Sequence, residues 1–300
     1  MELEERIELH RCFWRGELAR PILGFFVTEE SWGPPGPACP AIDIDTPAEL
    51  VVEKCRAAAR RQAAGPGERV PDVQVNYGTA FLPALAGGEL RHDGHTAWCL
   101  PTGQSARELE VPPLRRDLPL WQSYERKLRA LVEAGIPDCL VSTGGLTGPM
   151  EMLLDLLGPE QLCLDLFDAP EAVSAAAERL TALCLEAFDA QWQVLGREEG
   201  NLGFGLYMPG RSALLTEDAL ALVGPEQFPG FFGPGIRNLA AAMDTPFIHT
   251  HSAGLSCYDQ MARMDELAGV EISNDPNGPP IEDLVEAGAQ FQRAGKSVMF

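Results

Sequence analysis

The chain has 300 residues, of which 44 are acidic and 23 basic, for a formal net charge of −21. At 45% hydrophobic and 22% charged it has the composition of a globular protein, and its length suits two domains or one α/β barrel. The acidic excess argues against a nucleic-acid backbone as partner, because binding there needs clustered Lys and Arg to release counterions; it reads as a solubility charge.

The opening Met1-Glu2-Leu3-Glu4-Glu5-Arg6 is charged and has no apolar h-region, so no signal peptide is expected, and no run of about 18 apolar residues suggests a membrane span. Cysteines 12, 39, 55, 99, 139, 163, 184 and 257 are scattered without a C-x-x-C, as expected of reduced thiols in a cytoplasm. Lys54, Lys127 and Lys296 are the only lysines, which leaves few candidates for Schiff-base chemistry.

Residues 3–15 read as a helix with Ile7, Cys12, Phe13 and Trp14 apolar among charges, and the Pro/Gly-rich segment 32–37 then breaks regular structure. Thr46 as N-cap and Pro47 as first helical residue open a second helix, which runs to about Ala64 and stops at Gly65-Pro66-Gly67. From residue 70 short apolar runs at 71–76, 138–142, 204–208, 246–250, 270–273 and 296–300 alternate with helical patterns. Those helices are expected at 119–134, 147–157, 169–195, 225–243, 256–268 and 280–293. Connections this long imply parallel strands buried on both faces. No G-x-G-x-x-G follows the first strand, and 88–111, alternating around Trp98, reads as an inserted hairpin. The expected architecture is α/β, a (β/α)8 TIM barrel in one domain over 1–300, with 1–69 an N-terminal extension and 70–300 the barrel. Six strands are legible where eight are needed and the last is the chain's end, so the final strands are expected to lie beyond residue 300.

In parallel α/β folds the site forms at the C-terminal ends of the strands. Those positions hold Asn76 and Tyr77; Thr143, Gly144 and Gly145; Tyr207, Met208 and Arg211; His249 and His251; Asn274 and Asp275. His249-Thr250-His251 is the sharpest feature, because residues i and i+2 of a strand face the same side and two imidazoles could converge on a metal or a substrate. Cys257 and Asp275 could approach from nearby loops; alternatively His249 is an interior side chain and His251 caps the loop. Asp275 is placed for proton transfer or for orienting a histidine, or ends its strand in an Asx-type turn. Gly144-Gly145 could present backbone N–H groups to an anion or form a left-handed turn. Arg211 could clamp a carboxylate or lie on the surface.

A family resemblance emerges from 208 to 275. Met208-Pro209-Gly210, Glu217-Asp218, Gly224-Pro225-Glu226-Gln227-Phe228, His251-Ser252-Ala253-Gly254 and Met264-Asp265-Glu266-Leu267 resemble motifs of the uroporphyrinogen decarboxylase superfamily, which includes corrinoid-dependent methyltransferases. Arg11-Cys12-Phe13-Trp14, Arg20-Pro21-Ile22 and the stretches 145–158 and 165–171 are similar to its opening and middle helices. The resemblance implies a (β/α)8 barrel whose pocket lies at the strand C-termini.

Two departures bear on activity. Gly24-Phe25-Phe26-Val27-Thr28-Glu29-Glu30 has no arginine where the decarboxylases carry an arginine-rich segment, and Asn76-Tyr77-Gly78-Thr79 stands where they carry a catalytic aspartate. The methyltransferase branch holds zinc with His-x-Cys and a later Cys; this chain has His251 followed by Ala253, so His249 or Cys257 would have to substitute. The resemblance therefore implies methyl transfer involving a corrinoid protein or a folate-type acceptor. A decarboxylase acting on a tetrapyrrole or smaller carboxylic acid, and a non-catalytic ligand-binding barrel, are the alternatives. On this reading His251, Asp275 and Tyr77 are the catalytic groups. Asn76, Gly144, Gly145, Tyr207, Met208, Arg211 and Asn274 bind a small-molecule substrate, and His249, His251 and Cys257 hold a divalent metal such as zinc.

Overall fold

The computed structural model describes residues 1–24, 43–93, 97–197 and 200–300; the 32–37 segment, Cys39 and the Phe25 to Glu30 part of the arginine-less stretch lie outside them. Helices α1 (Leu3–Trp14) and α2 (Ala48–Ala64) precede the first parallel strand, β1 (Asp72–Val73). Pro47, not Thr46, occupies the N-cap of α2, and no side chain caps that helix; the proline ring sets the entry instead. After α3 (Phe81–Leu85) the expected inserted hairpin is present as antiparallel β2 (Glu89–His92) and β3 (Ala97–Leu100).

Next come α4 (Pro119–Glu133), β4 (Leu140–Val141), β5 (Leu146–Thr147), α5 (Pro149–Leu157), α6 (Pro159–Asp168) and α7 (Pro170–Leu195). Proline at N1 or N2 starts each of these four helices, where its missing N–H has no intrahelical acceptor to lose. In α4, Trp121, Tyr124, Leu128 and Leu131 recur at helical spacing and are all buried. Gly158, at φ 82°, separates α5 from α6, a helix that the sequence periodicity left unread.

The run 204–208 is not a parallel strand. It splits into an antiparallel hairpin, β6 (Asn201–Gly203) and β7 (Leu206–Met208), turning at Phe204-Gly205 with φ of 51° and 77°. Positive φ at both turn residues is the twist-matched two-residue hairpin geometry, and it overrides the apolar continuity of the segment. The parallel strand is instead β8 (Leu214–Thr216), followed by a 3-10 turn over Asp218–Leu222. The expected helix 225–243 is broken into α8 (Phe228–Phe231) and α9 (Gly233–Ala240) by Pro229, Pro234 and three glycines. Then follow β9 (Phe247–His251), a 3-10 turn over Ser252–Cys257, α10 (Tyr258–Ala262), β10 (Gly269–Ser273), α11 (Ile281–Arg293) and β11 (Ser297–Met299).

Five strands form one parallel sheet in the order β11-β10-β9-β8-β5, and β1 pairs with β4, also in parallel. These are the pairings of a mixed α/β fold; the described strands do not join into one closed ring. Asn201 links the two sheets: its Nδ2 donates to Thr143 Oγ1 beyond β4 (2.6 Å) and to Ser212 O ahead of β8 (2.7 Å). The main apolar core runs from Val51 to Phe291, with α7 contributing Leu180, Leu183 and Phe188. Ile7 of α1 packs apart from it, with Val70, Leu202 and Tyr207. Among the described residues no helix is long and apolar enough to cross a membrane.

Candidate metal centre

In-register pairing of β8, β9 and β10 sets Thr216 beside His249, His249 beside Glu271 and His251 beside Ser273. Polar side chains therefore line up across three neighbouring strands near their C-terminal ends. Asp218, two residues beyond β8, completes a group with His249 and His251 in which one ligand atom from each residue lies within 4.8 Å of the others. His249 Nε2 is 3.6 Å from Asp218 Oδ1, and His251 Nε2 is 3.4 Å from Asp218 Oδ2.

Each imidazole is held from its other nitrogen. His249 Nδ1 pairs with Glu271 Oε2, and His251 Nδ1 lies 2.7 Å from Asp275 Oδ1. Asp275 Oδ2 also accepts from Ser252 N (2.9 Å) and Ser252 Oγ (2.7 Å), so its carboxylate orients a histidine and does not close a turn on its own backbone. A proton on Nδ1, donated to a carboxylate, turns the Nε2 lone pair toward the shared centre. Burial disfavours the charged form of His249, but Glu271, Asp218 and Glu151 outweigh it and the net shift of its pKa is upward. Burial would raise Asp275, and the hydrogen bonds from Ser252 and His251 reverse this and hold it low.

A second layer of acid lies beneath. Glu217 Oε1 accepts from Glu151 N (2.7 Å) near the start of α5, while Glu151 Oε2 accepts from Asp218 N (3.2 Å). Burial first, and mutual repulsion second, push Glu217 well above the ordinary carboxylate range; burial and Asp218 raise Glu151. Gly148 is required here, because a Cβ at that position would collide with Glu217 Oε2.

The other sequence-selected residues lie elsewhere. Cys257 is buried, its thiol pushed upward by burial, and it is not in the Asp218–His249–His251 group; Asp218 takes the place expected for it. Tyr77 is buried with its hydroxyl between Ser123 Oγ (3.1 Å) and Lys127 Nζ (2.8 Å), and Asn76 Oδ1 accepts from Gly78 N (2.7 Å). The Gly144 N–H is taken by Tyr124 Oη (3.1 Å) and Gln191 Oε1 (3.0 Å); neither Gly144 nor Gly145 has a left-handed φ, and β5 separates them from α5. Tyr207 and Met208 belong to the antiparallel hairpin, with Met208 packed on Phe247 at the start of β9. Arg211 precedes β8, pairs with Asp189 and lies 4.6 Å above the Phe188 ring, at the opposite end of the sheet from the histidines. Asn274 is exposed beside Asp275.

Sequence reasoning gave Asp218, Glu271 and Glu151 no role. Glu271 had a detectable signature, a charge within the otherwise apolar run Val270-Glu271-Ile272 of a doubly buried strand. Asp218 stands in the sequence only as part of the Glu217-Asp218 motif, and its place at a strand end follows from β8, whose three residues do not reveal a strand.

No protein-family model and no curated protein sequence matches the chain. A solved structure of a methyltransferase from Methanosarcina mazei superposes with a TM-score of 0.63 at 14% sequence identity, over 100% of this chain and 92% of that one. At that identity the likeness is one of fold: this α/β chain has the fold of a structure known as a methyltransferase.

Proposed function

We propose that this chain is a cytoplasmic, metal-dependent methyl-transfer enzyme of the uroporphyrinogen decarboxylase and corrinoid methyltransferase type, a (β/α)8 barrel acting with a corrinoid protein. The observation that carries the reading is the convergence of Asp218, His249 and His251 beyond adjacent parallel strands. The donor set fits a divalent cation such as zinc, since two nitrogens and a carboxylate oxygen leave a fourth position for a reacting ligand. Asp218 Oδ1 is buried without a hydrogen-bond partner in the chain, which suits an oxygen whose partner is a metal ion.

When bound, the metal would supply Lewis acidity toward the methyl acceptor. The chain's own residues do the positioning. Glu271 and Asp275 fix the two imidazoles, Ser252 fixes Asp275, and Glu151 holds the Asp218 backbone. Methyl transfer is favoured over decarboxylation of a polycarboxylate, because the ion pairs described for Asp218, Glu271 and Asp275 are all with histidines. Arg211, the arginine selected as a carboxylate clamp, is occupied at the other end of the sheet.

The test mixes zinc-loaded protein with methylcobalamin and a small thiol and follows loss of the methyl–cobalt absorbance. Zinc-dependent demethylation, lost in His251→Ala, is the expected result. Release of CO2 from a porphyrinogen by the same preparation would replace the reading with a lyase. Zinc uptake without turnover would favour a ligand-binding barrel.

A further inference from the structure

Phe204 sits where a two-residue hairpin turn needs a left-handed backbone, at φ 51°, a position that suits Asn, Asp or Gly and strains an aromatic residue. The turn is held by its surroundings: Arg69 Nε donates to Phe204 O (3.1 Å) and Val70 N to Gly205 O (2.9 Å). At Gly205, φ 77°, a Cβ would collide with the Arg69 guanidinium. Burial does not account for the phenylalanine. Its side chain is outside all the apolar clusters of the described residues, and the residue is 38% exposed. The ring contact described for it is with His249, edge-to-face at 5.2 Å between centroids.

A strained aromatic that is half in solvent and set against a candidate metal ligand is the pattern of backbone strain retained for a site. We infer that Phe204 is a specificity-determining residue, an apolar platform for the alkyl part of a small neutral or cationic ligand bound at the Asp218–His249–His251 centre. The charge preference follows from the surrounding carboxylates of Asp218, Glu271 and Asp275. This inference rests on the metal reading of the centre.

The experiment loads wild-type and Phe204→Gly protein with Co(II) and titrates each with imidazole and with 1-butylimidazole, reading the visible d–d spectrum. The two ligands share a donor and differ in the alkyl chain. Glycine relieves the turn, so the variant should keep one Co(II) per chain and a thermal midpoint at or above wild type. Its affinity for 1-butylimidazole should fall about five- to ten-fold while that for imidazole changes less than about two-fold, the scale of partial burial of a short alkyl chain. Equal shifts for both ligands, no shift for either, or a midpoint lowered by several degrees would overturn the role of Phe204 alone. Wild-type protein that takes up no Co(II) would overturn the metal reading, and this inference with it.

Discussion

His10 and the His249–His251 pair show how differently one residue type can be used within the same chain. His10, on α1, accepts from Tyr207 N at Nδ1 (2.8 Å) and donates from Nε2 to Glu68 O (2.9 Å). Both nitrogens are saturated by backbone groups, the tautomer is fixed as neutral, and burial, the leading cause, pushes the pKa down to about 4. It ties α1 to the β6–β7 hairpin and to the chain entering β1. His249 and His251 are instead saturated only at Nδ1, by Glu271 and Asp275, and their Nε2 atoms face one shared carboxylate. A histidine closed on both sides is architecture; one held on one side and open on the other is available for chemistry.

The largest effect expected from this contrast is on metal binding. Asp218→Ala and His249→Ala should each weaken Zn(II) or Co(II) binding by about a thousand-fold, since each removes one of three protein donors. His10→Gln should leave stoichiometry and affinity unchanged, as equilibrium dialysis would report. A comparable loss in His10→Gln would erase the distinction between the two sites.

A smaller effect concerns pH. The folded pKa of His10, about 4, lies below its unfolded value of 6.5, so the unfolded chain takes up the proton first. The contribution of His10 is therefore complete above pH 6.5 and is lost as pH falls toward 4, by about 2 kcal/mol at pH 5. Unfolding free energies from urea titrations at pH 7 and pH 5 should separate for wild type by more than for His10→Gln, by this amount. Equal separations would mean that His10 is charged in the native state.

The smallest effect tests orientation. Glu271→Gln keeps the size of the side chain but loses its charge, and should weaken metal binding about ten-fold without changing the stoichiometry, as expected for a carboxylate behind a histidine ligand. An unchanged affinity would assign Glu271 to packing.

Periodicity and turn chemistry were enough for α1, α2, α4, α7 and α11, whose buried faces recur at helical spacing, and for β9 and β10, five-residue segments that hold the apolar pairs Phe247 with Ile248 and Val270 with Ile272. They failed for β5 and β8, although β1, β4 and β11 are as short, because those three lie within the longer apolar runs 71–76, 138–142 and 296–300. Leu146–Thr147 and Leu214–Thr216 carry too few residues for a period and are strands because neighbouring strands pair with them. They failed again at 204–208, where Gly205 and a left-handed Phe204 make a turn inside an apolar run.

The same division applies to the centre. His-x-His on a strand is a local pattern, because alternation alone puts both rings on one side. The arrival of Asp218 from the end of β8 and of Glu271 from the facing position on β10 depends on which strands are neighbours and in what register. The sequence by itself determined the α/β class, most of the helices and the pair of histidines, all of which follow from spacing along one segment. Only the tertiary structure decided their partners, the exclusion of Cys257 and the placement of Phe204, because each requires segments distant in sequence to pack within a few ångströms of one another.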